Sequence, residues 1–355
     1  MPLTSRSLTE TIFAIPGDLA SPTGGYAYDR RVLAHLPAFG LPVRHVALPA
    51  SYPSPSPGDL EITRKVLAST PPDATLLIDG LAYGAMPEHV IRGLGHRIVA
   101  LVHHPLCLES GLSDARRDEL AALERQALAA AAHVIVTSRT TERIVAADFA
   151  VPIEKITVAE PGTDPAPRST GTGTPLQLLA VGAVSRRKAY DTLVRALAPL
   201  EALDWRLTVA GATDRDTAAV AELDAVIAET GLAERITLAG TVVPATLDRF
   251  YASTDVFVMP SLFEGYGMVL AEAMARGLPI VCTTGGAAAE TVPDGAALKV
   301  PPGDVEALTR ALRTAIAERR VRARLADASW EAGRALPTWN ETTRRIAAAI
   351  LGVRA

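Results

Sequence analysis

Short, unbroken apolar runs recur along this chain, and longer helix-like stretches fill the gaps between them. The runs occupy residues 11–15, 43–48, 75–78, 98–102 and 134–136, then 176–181, 206–210, 236–238, 256–259, 280–282 and 297–300. A strand with one wet face alternates apolar and polar residues, whereas a strand covered on both faces reads as a continuous run. Most of these runs are continuous. The stretches between them, such as 116–132 and 217–229, have the length and composition of helices. The repeated order of strand, helix and strand predicts βαβ units and doubly wound parallel sheets, an α/β fold.

One segment breaks the rhythm. Residues 160–175, EPGTDPAPRSTGTGTP, hold four Pro and three Gly. That composition reads as a flexible interdomain hinge. It divides the 355 residues into about 160 before and 180 after, each within the roughly 100–200 residues of a usual domain. Each side restarts with an apolar strand and a loop, so two similar Rossmann-like halves are expected. The end of the chain reads as helices over 305–319, 322–334 and 338–351.

Bulk properties remove several classes. The chain carries 35 basic and 39 acidic residues, a formal net charge of −4, with no long Lys/Arg run. Nucleic acid is therefore not expected as a main partner, while a local basic patch facing anionic lipid stays compatible. No run approaches the roughly 18 uninterrupted apolar residues of a membrane span, and the first residues, MPLTSRSLTE, lack an apolar signal core. The two cysteines, Cys107 and Cys282, form no CxxC or Cys/His metal spacing. They read as reduced core residues of a cytoplasmic protein.

The richest segment is 255–283, DVFVMPSLFEGYGMVLAEAMARGLPIVCT. It reads as a strand 255–259, a loop 260–267, a helix 268–276 that stops at Gly277, and a strand 279–283. Ligands of open α/β sheets bind beyond the carboxyl ends of strands, where this loop lies. The new helix offers unpaired N–H groups and the positive end of its dipole to a diphosphate. Gly265 and Gly267 remove side chains that would hold a phosphate away. Glu264 could accept hydrogen bonds from sugar hydroxyls, and Glu272, one turn into the helix, from a ribose diol. A loop-surface carboxylate is the alternative for the first, and a solvated spot on a buried helix for the second. Taken together with the glycines, they favour a ligand loop.

Three further segments follow strands. In 179–191, LAVGAVSRRKAYD, Gly182 precedes Arg186, Arg187 and Lys188. Fixed cations here would bind phosphate and stabilise a departing diphosphate; a solvated basic loop is the alternative. In 15–26, IPGDLASPTGGY, the Gly24–Gly25 pair could bring backbone N–H groups to a phosphate or sugar before a helix starting at Tyr26. It is not GxGxxG, so no dinucleotide site is supported. In 99–105, VALVHHP, His103 and His104 sit at a strand's carboxyl end; adjacent positions on a strand point to opposite faces, which is poor metal spacing. Asp214-Arg215-Asp216 matches an Asp-x-Asp metal triad but opens helix 217–229, so capping explains it.

EGYGMVLAE resembles the Glu-x7-Glu motif of retaining GT-B glycosyltransferases, the "group 1" or family-four class. The resemblance includes Pro260-Ser261 before it, Gly277-Leu278-Pro279-Ile280 after it, Gly285-Gly286 and Glu290, then Val300-Pro301-Pro302-Gly303-Asp304. It extends back to SRRKAYD and, less specifically, to Gly24-Gly25 and His103. It implies two Rossmann-like doubly wound domains facing across a cleft: 1–163, completed by a helix 338–355, facing the acceptor, and 164–337 holding the donor. It implies that Glu264 contacts the donor sugar and Glu272 the ribose. The backbone at Gly267, Met268 and Val269, with Arg187 and Lys188, would hold the diphosphate. Val242 and Val243 would lie by the base, Gly25 near the donor, and His103 near the reacting sugar. A metal-independent, retaining hexosyltransferase is implied, using a UDP- or GDP-sugar, no cofactor, and a small-molecule, glycan or lipid-linked hydroxyl acceptor. The expected place is the cytoplasm, with peripheral contact at the inner membrane compatible. Departures are Ala183 and Ala189, the latter where relatives have Gly after the lysine, and Glu160-Pro161-Gly162-Thr163-Asp164; which of Arg186 and Arg187 contacts the diphosphate stays open. Another GT-B enzyme, an epimerase or phosphorylase, and a non-catalytic nucleotide-sugar-binding protein are the competing expectations.

Overall fold

A computed structural model describes residues 9–354. The chain divides into two compact units, one formed by the described residues up to Gly162 together with those from Thr338 onward, the other by Thr163–Pro337.

The first unit holds β1 (Thr11–Pro16), β2 (Val43–Leu48), β3 (Thr75–Asp79), β4 (Arg97–Val102), β5 (His133–Val136) and β6 (Ile156–Val158). They form one parallel sheet in the order β2-β1-β3-β4-β5-β6. The second unit holds β7 (Leu176–Val181), β8 (Trp205–Ala210), β9 (Ile236–Gly240), β10 (Val256–Met259), β11 (Ile280–Thr283) and β12 (Ala297–Val300). Its parallel order is β12-β11-β10-β7-β8-β9. The central strands are buried throughout, as their continuous apolar runs require: every residue of β1, β3, β10 and β11 lies in the interior.

Both orders contain a point where the connections change direction. It lies between β1 and β3 in the first sheet and between β7 and β10 in the second. Loops leaving the carboxyl ends of those strands diverge and leave a crevice for ligands. All four motif segments follow β1, β4, β7 or β10.

Three local readings change. The run Ile156–Val158 is a sixth strand of the first sheet; three residues give too little pattern to separate it from the Pro/Gly segment that follows. The helix after β1 begins at Gly24, not Tyr26, because Thr23 caps it by accepting a hydrogen bond from Tyr26 N. The segment 163–175 is not a loose hinge but is tied along the second unit. Asp255 accepts from the backbone N–H groups of Thr172, Gly173 and Gln177, Ser169 N donates to Arg276 O, and Arg168 pairs with Asp327. Cys107, expected in the core, is buried in a 3-10 turn just after β4. Asp216 does cap the helix Thr217–Thr230, accepting from Ala219 N at 3.0 Å.

The helix Trp339–Gly352 returns to the first unit. Thr338 and Glu341 form a reciprocal capping box at its start. Thr342 Oγ1 donates to Glu160 O at 2.6 Å, and Trp339, Ile346 and Ile350 are buried.

Candidate functional site

In the second unit, the loops after β7 and β10 meet. Arg187 and Lys188 lie in a one-turn 3-10 helix, Arg186–Lys188, that ends at Ala189 in the left-handed conformation, φ 50°. Leu262 N donates to Arg187 O at 2.8 Å, stitching the two loops together. Lys188 Nζ donates to Glu264 Oε1 at 2.7 Å, and Arg187 lies 3.3 Å from the same oxygen while donating to Phe263 O. Gly182 makes room for this: a Cβ there would press on Lys188 Cε at 2.9 Å and Tyr190 Oη at 3.1 Å.

Glu264 is 6% exposed. Burial alone would raise its carboxyl, but Lys188 and Arg187 outweigh that and hold it at about 2. The cluster is one carboxylate facing two cations, net positive. The loop is anchored from behind by Gly285-Gly286: Glu264 N donates to Gly285 O, and Ala287 N donates to Glu264 O. A Cβ on Gly286 would fall on the Glu264 backbone.

Gly267 adopts φ 89° and caps the helix Met268–Ala275. That backbone conformation is open to glycine and costly for other residues. It starts the helix immediately after the charged loop, so the free N–H groups of its first turn, Met268 and Val269 among them, open beside the cations. One turn on, Glu272 Oε2 accepts from Tyr251 Oη at 2.8 Å. Burial raises the Glu272 carboxyl, while Tyr251 and Arg276 oppose that. Arg276 stacks over the Tyr251 ring at 4.3 Å. Val242 packs against the apolar cluster beneath this helix, and Val243, 65% exposed, opens the helix Pro244–Ser253 after β9.

In the first unit, His103 follows β4, and two residues the sequence reading did not single out meet it. Nε2 lies 3.2 Å from Asp29 Oδ1 and 3.3 Å from Asp79 Oδ2. Asp29 is 0% and Asp79 2% exposed, against 22% for the histidine side chain. Asp79 ends β3 and its other oxygen accepts from Leu81 N, a cap. Gly25 does not stand apart from this group: a Cβ on it would meet His103 Cδ2 at 3.3 Å. Among the described residues, Asp29, Asp79 and His103 are the grouping whose donor atoms lie within 4.8 Å of one another, a spacing able to hold a small cation. The Nε2–carboxylate distances are also those of hydrogen bonds, which a proton on Nε2 satisfies without any ion. Asp79 had a readable signal, a carboxylate closing an apolar run at the carboxyl end of a strand. Asp29 lies mid-helix in a Tyr-Asp-Arg-Arg string and had none. His104 lies apart from the cluster, 3.3 Å from Glu109.

Two six-stranded parallel sheets with flanking helices, carrying these loops at their switch points, define the GT-B class. A model of the group 1 glycosyl transferases matches residues 175–318, and a glycosyl transferase 4-like domain matches residues 12–162. The chain belongs to the group 1 glycosyltransferases. It is similar to the lipopolysaccharide core biosynthesis mannosyltransferase LpsB of Rhizobium meliloti, 36% identical over 38% of this chain; the match spans 36% of that relative's length. The solved sucrose-phosphate synthase of Thermosynechococcus elongatus superposes with a TM-score of 0.79 at 21% identity, covering 95% of this chain and 97% of that one. Anabaena HepE, solved with UDP-glucose, superposes with a TM-score of 0.73 at 16% identity over 97% and 100% of the two chains. At these identities the two structures bear on the fold.

Proposed function

We propose that this protein transfers a hexose from a UDP- or GDP-sugar to a hydroxyl acceptor with retention of anomeric configuration and without a metal ion. The observation that carries the reading is the net-positive cluster of Arg187, Lys188 and Glu264 beside the N-terminus of Met268–Ala275. A sugar–diphosphate bond breaks with negative charge gathering on the leaving group. Two fixed cations and the first-turn N–H groups stabilise that charge without rearranging. They also supply the charge a divalent ion would otherwise bring.

Each donor residue has one task in this reading. The Gly267, Met268 and Val269 backbone, with Arg187 and Lys188, takes the diphosphate. Glu272, held by Tyr251, takes the ribose diol, and Val242 and Val243 border the base. Glu264 orders both cations and offers its remaining oxygen to the sugar. His103, packed on Gly25, is assigned to the sugar and the first unit to the acceptor, a small molecule, glycan or lipid-linked alcohol. The acceptor hydroxyl attacks from the face the diphosphate leaves, and the departing phosphate takes its proton. The relative named a lipopolysaccharide core mannosyltransferase supports the transfer of a hexose. Two free, buried cysteines fit a reducing cytoplasm, and among the described residues no helix is long and apolar enough to cross a membrane.

The test is nucleotide release from UDP-, GDP- and ADP-sugars over an acceptor panel. Wild-type protein is expected to release one nucleotide, and Lys188→Ala to lose the activity by at least 100-fold while keeping a cooperative melt. Removing one partner of a buried pair costs about 3–5 kcal/mol, and Arg187 keeps Lys188→Ala toward the low end. Binding without release across the panel would favour a non-catalytic nucleotide-sugar-binding protein, and an inverted product would end the retaining mechanism.

A further inference from the structure

We infer that Asp29 and Asp79 are positioning residues that hold Nε2–H of His103 against two buried carboxylates, keep the ring as an imidazolium, and leave Nδ1–H as a cationic donor to an oxygen of the ligand taken at the first unit's switch point. The inference rests on the glycosyltransferase reading for the ligand, but the clamp itself stands on the geometry of the first unit.

Three elements converge to build it. Asp29 comes from the helix Gly24–His35, Asp79 from the end of β3 and His103 from the end of β4. These surround the β1/β3 switch point, where an open α/β sheet takes its ligand. A neutral ring with a bare Nε2 would aim a lone pair at two carboxylate oxygens about 3.2 Å away, an arrangement with three acceptors and no hydrogen between them. A proton on Nε2 hydrogen-bonds Asp29 and lies within ion-pair distance of Asp79; the neutral Nε2–H ring would do the same, and it is the two carboxylates at 3.2 and 3.3 Å that favour the second proton, on Nδ1. Nδ1 has no hydrogen-bond partner among the described residues, and the side chain is 22% exposed, which leaves that nitrogen for a ligand.

The rest of the surroundings leaves that charge in place. Tyr28 stands edge-on to the ring at 5.3 Å, and burial raises its hydroxyl well above the usual range, so it stays neutral. Trp339 packs edge-on against Tyr28 from the returning helix, with the Arg31 guanidinium 5.6 Å over its far ring. Thr137 Oγ1 donates to His103 O at the end of β5, fixing the backbone. His104 is occupied with Glu109. Burial pulls the His103 ring toward the neutral form, and the two carboxylates overcome it and raise its pKa. Burial in turn raises Asp29 to about 7, with His103 pulling it down and the neighbouring Asp79 pushing it up.

The sequence carries the space for this. Gly25, in the first turn of the helix, lets the ring lie against its Cα; a methyl there would press Cδ2 at 3.3 Å. Gly25 thus acts on the ligand through His103 rather than by its own N–H.

The experiment uses the full chain labelled with 13Cε1-histidine. Its seven histidines are titrated by NMR from pH 5 to 10, and His103→Gln assigns the signal. The His103 resonance is expected to keep its imidazolium shift to at least one unit above the ordinary value of about 6.5. Asp79→Asn keeps the helix cap and is expected to lower that midpoint by a unit or more; Asp29→Asn is expected to do the same. Nucleotide release should then show its alkaline limb at lower pH in both variants, a displacement that a merely structural role would not give. A wild-type His103 titrating at or below the ordinary value would overturn the inference, as would an unmoved limb in well-folded variants. So would a His103 signal that Mg2+ or Mn2+ alone displaces in wild type but not in Asp29→Asn, since the cluster would then be a cation site. If no nucleotide-sugar is turned over, the glycosyltransferase reading falls and the NMR titration still decides the clamp.

Discussion

Charge placement in this protein works by pairs that are buried together. Glu264 is ionised because two cations face it, and its contribution to stability follows a definite sign. Its folded value is depressed from 4.5 to about 2, so that contribution is present above about pH 4.5 and is lost as the pH falls toward 2. Glu124 is the opposite case. It is 1% exposed on the helix Asp114–Ala130, and its one hydrogen bond is from Leu106 N at 2.9 Å. Burial pushes its carboxyl from 4.5 up to about 8, against that hydrogen bond. The folded protein therefore holds a proton there that the unfolded chain has lost, and stability falls as the pH rises from 4.5 to 8. Glu124→Gln keeps the acceptor for Leu106 and removes the titration. Its melting temperature is expected to vary less than wild type over that window, measured as Tm against pH; an equal slope in both proteins would assign the dependence elsewhere. At this scale the sequence was partly legible. Glu264, Lys188 and Arg187 were each singled out, and the structure brings them together. Asp29 and Glu124 were not, because a carboxylate in a polar helix string looks the same whether it faces water or the interior.

Elements decide how closely two loops can approach. The loop 260–267 can lie against the loop after β11 because Gly285 and Gly286 carry no side chains. A Cβ on either would fall on a carbonyl of residues 261–264, and Gly286 also adopts φ 62°. Gly286→Ala is therefore expected to displace Glu264 and the cations it orders. Nucleotide binding is expected to be lost by thermal shift, with a stability loss above the about 1–2 kcal/mol that left-handed strain alone would cost, because the Cβ also presses on the Glu264 backbone. Full nucleotide affinity in the variant would show that the loop keeps its place by other means. Ala189, where the family pattern has glycine, adopts φ 50°, a left-handed turn that costs a residue with a side chain about 1–2 kcal/mol. Strands were legible as elements because a strand covered on both faces must be apolar throughout. The three-residue β6 escaped because its neighbours are prolines and glycines. The segment 163–175 was read as flexible from the same composition, but composition does not register Asp255, a carboxylate far along the chain that gathers its backbone N–H groups.

The two sheets share a design and differ in strand order, 2-1-3-4-5-6 in the first and, counted from β7, 3-2-1-4-5-6 in the second. Both place their switch point beside the first strand of the unit, and the chemistry-bearing loops follow the first and fourth strands of each. The apolar runs revealed the two halves but not these orders, since neighbouring strands in a parallel sheet leave no mark on one another's sequence. The first unit also depends on residues from the other end of the chain. Ile346 is fully buried in the helix Trp339–Gly352. Ile346→Ala is expected to destabilise by about 2–5 kcal/mol, with the loss seen in hydrogen exchange of β5 and β6, against which this helix packs, rather than in β10 and β11. Protection lost equally from all four strands would mean that the two units unfold as one.

That returning helix also fixes an order of assembly. During synthesis the first unit emerges with its sheet in place but without Trp339, Ile346 and Ile350, while everything the second unit needs lies within 163–337. The half of the protein made first is the half finished last. Until the closing helix leaves the ribosome, the apolar flank of β5 and β6 that it packs against lacks that cover.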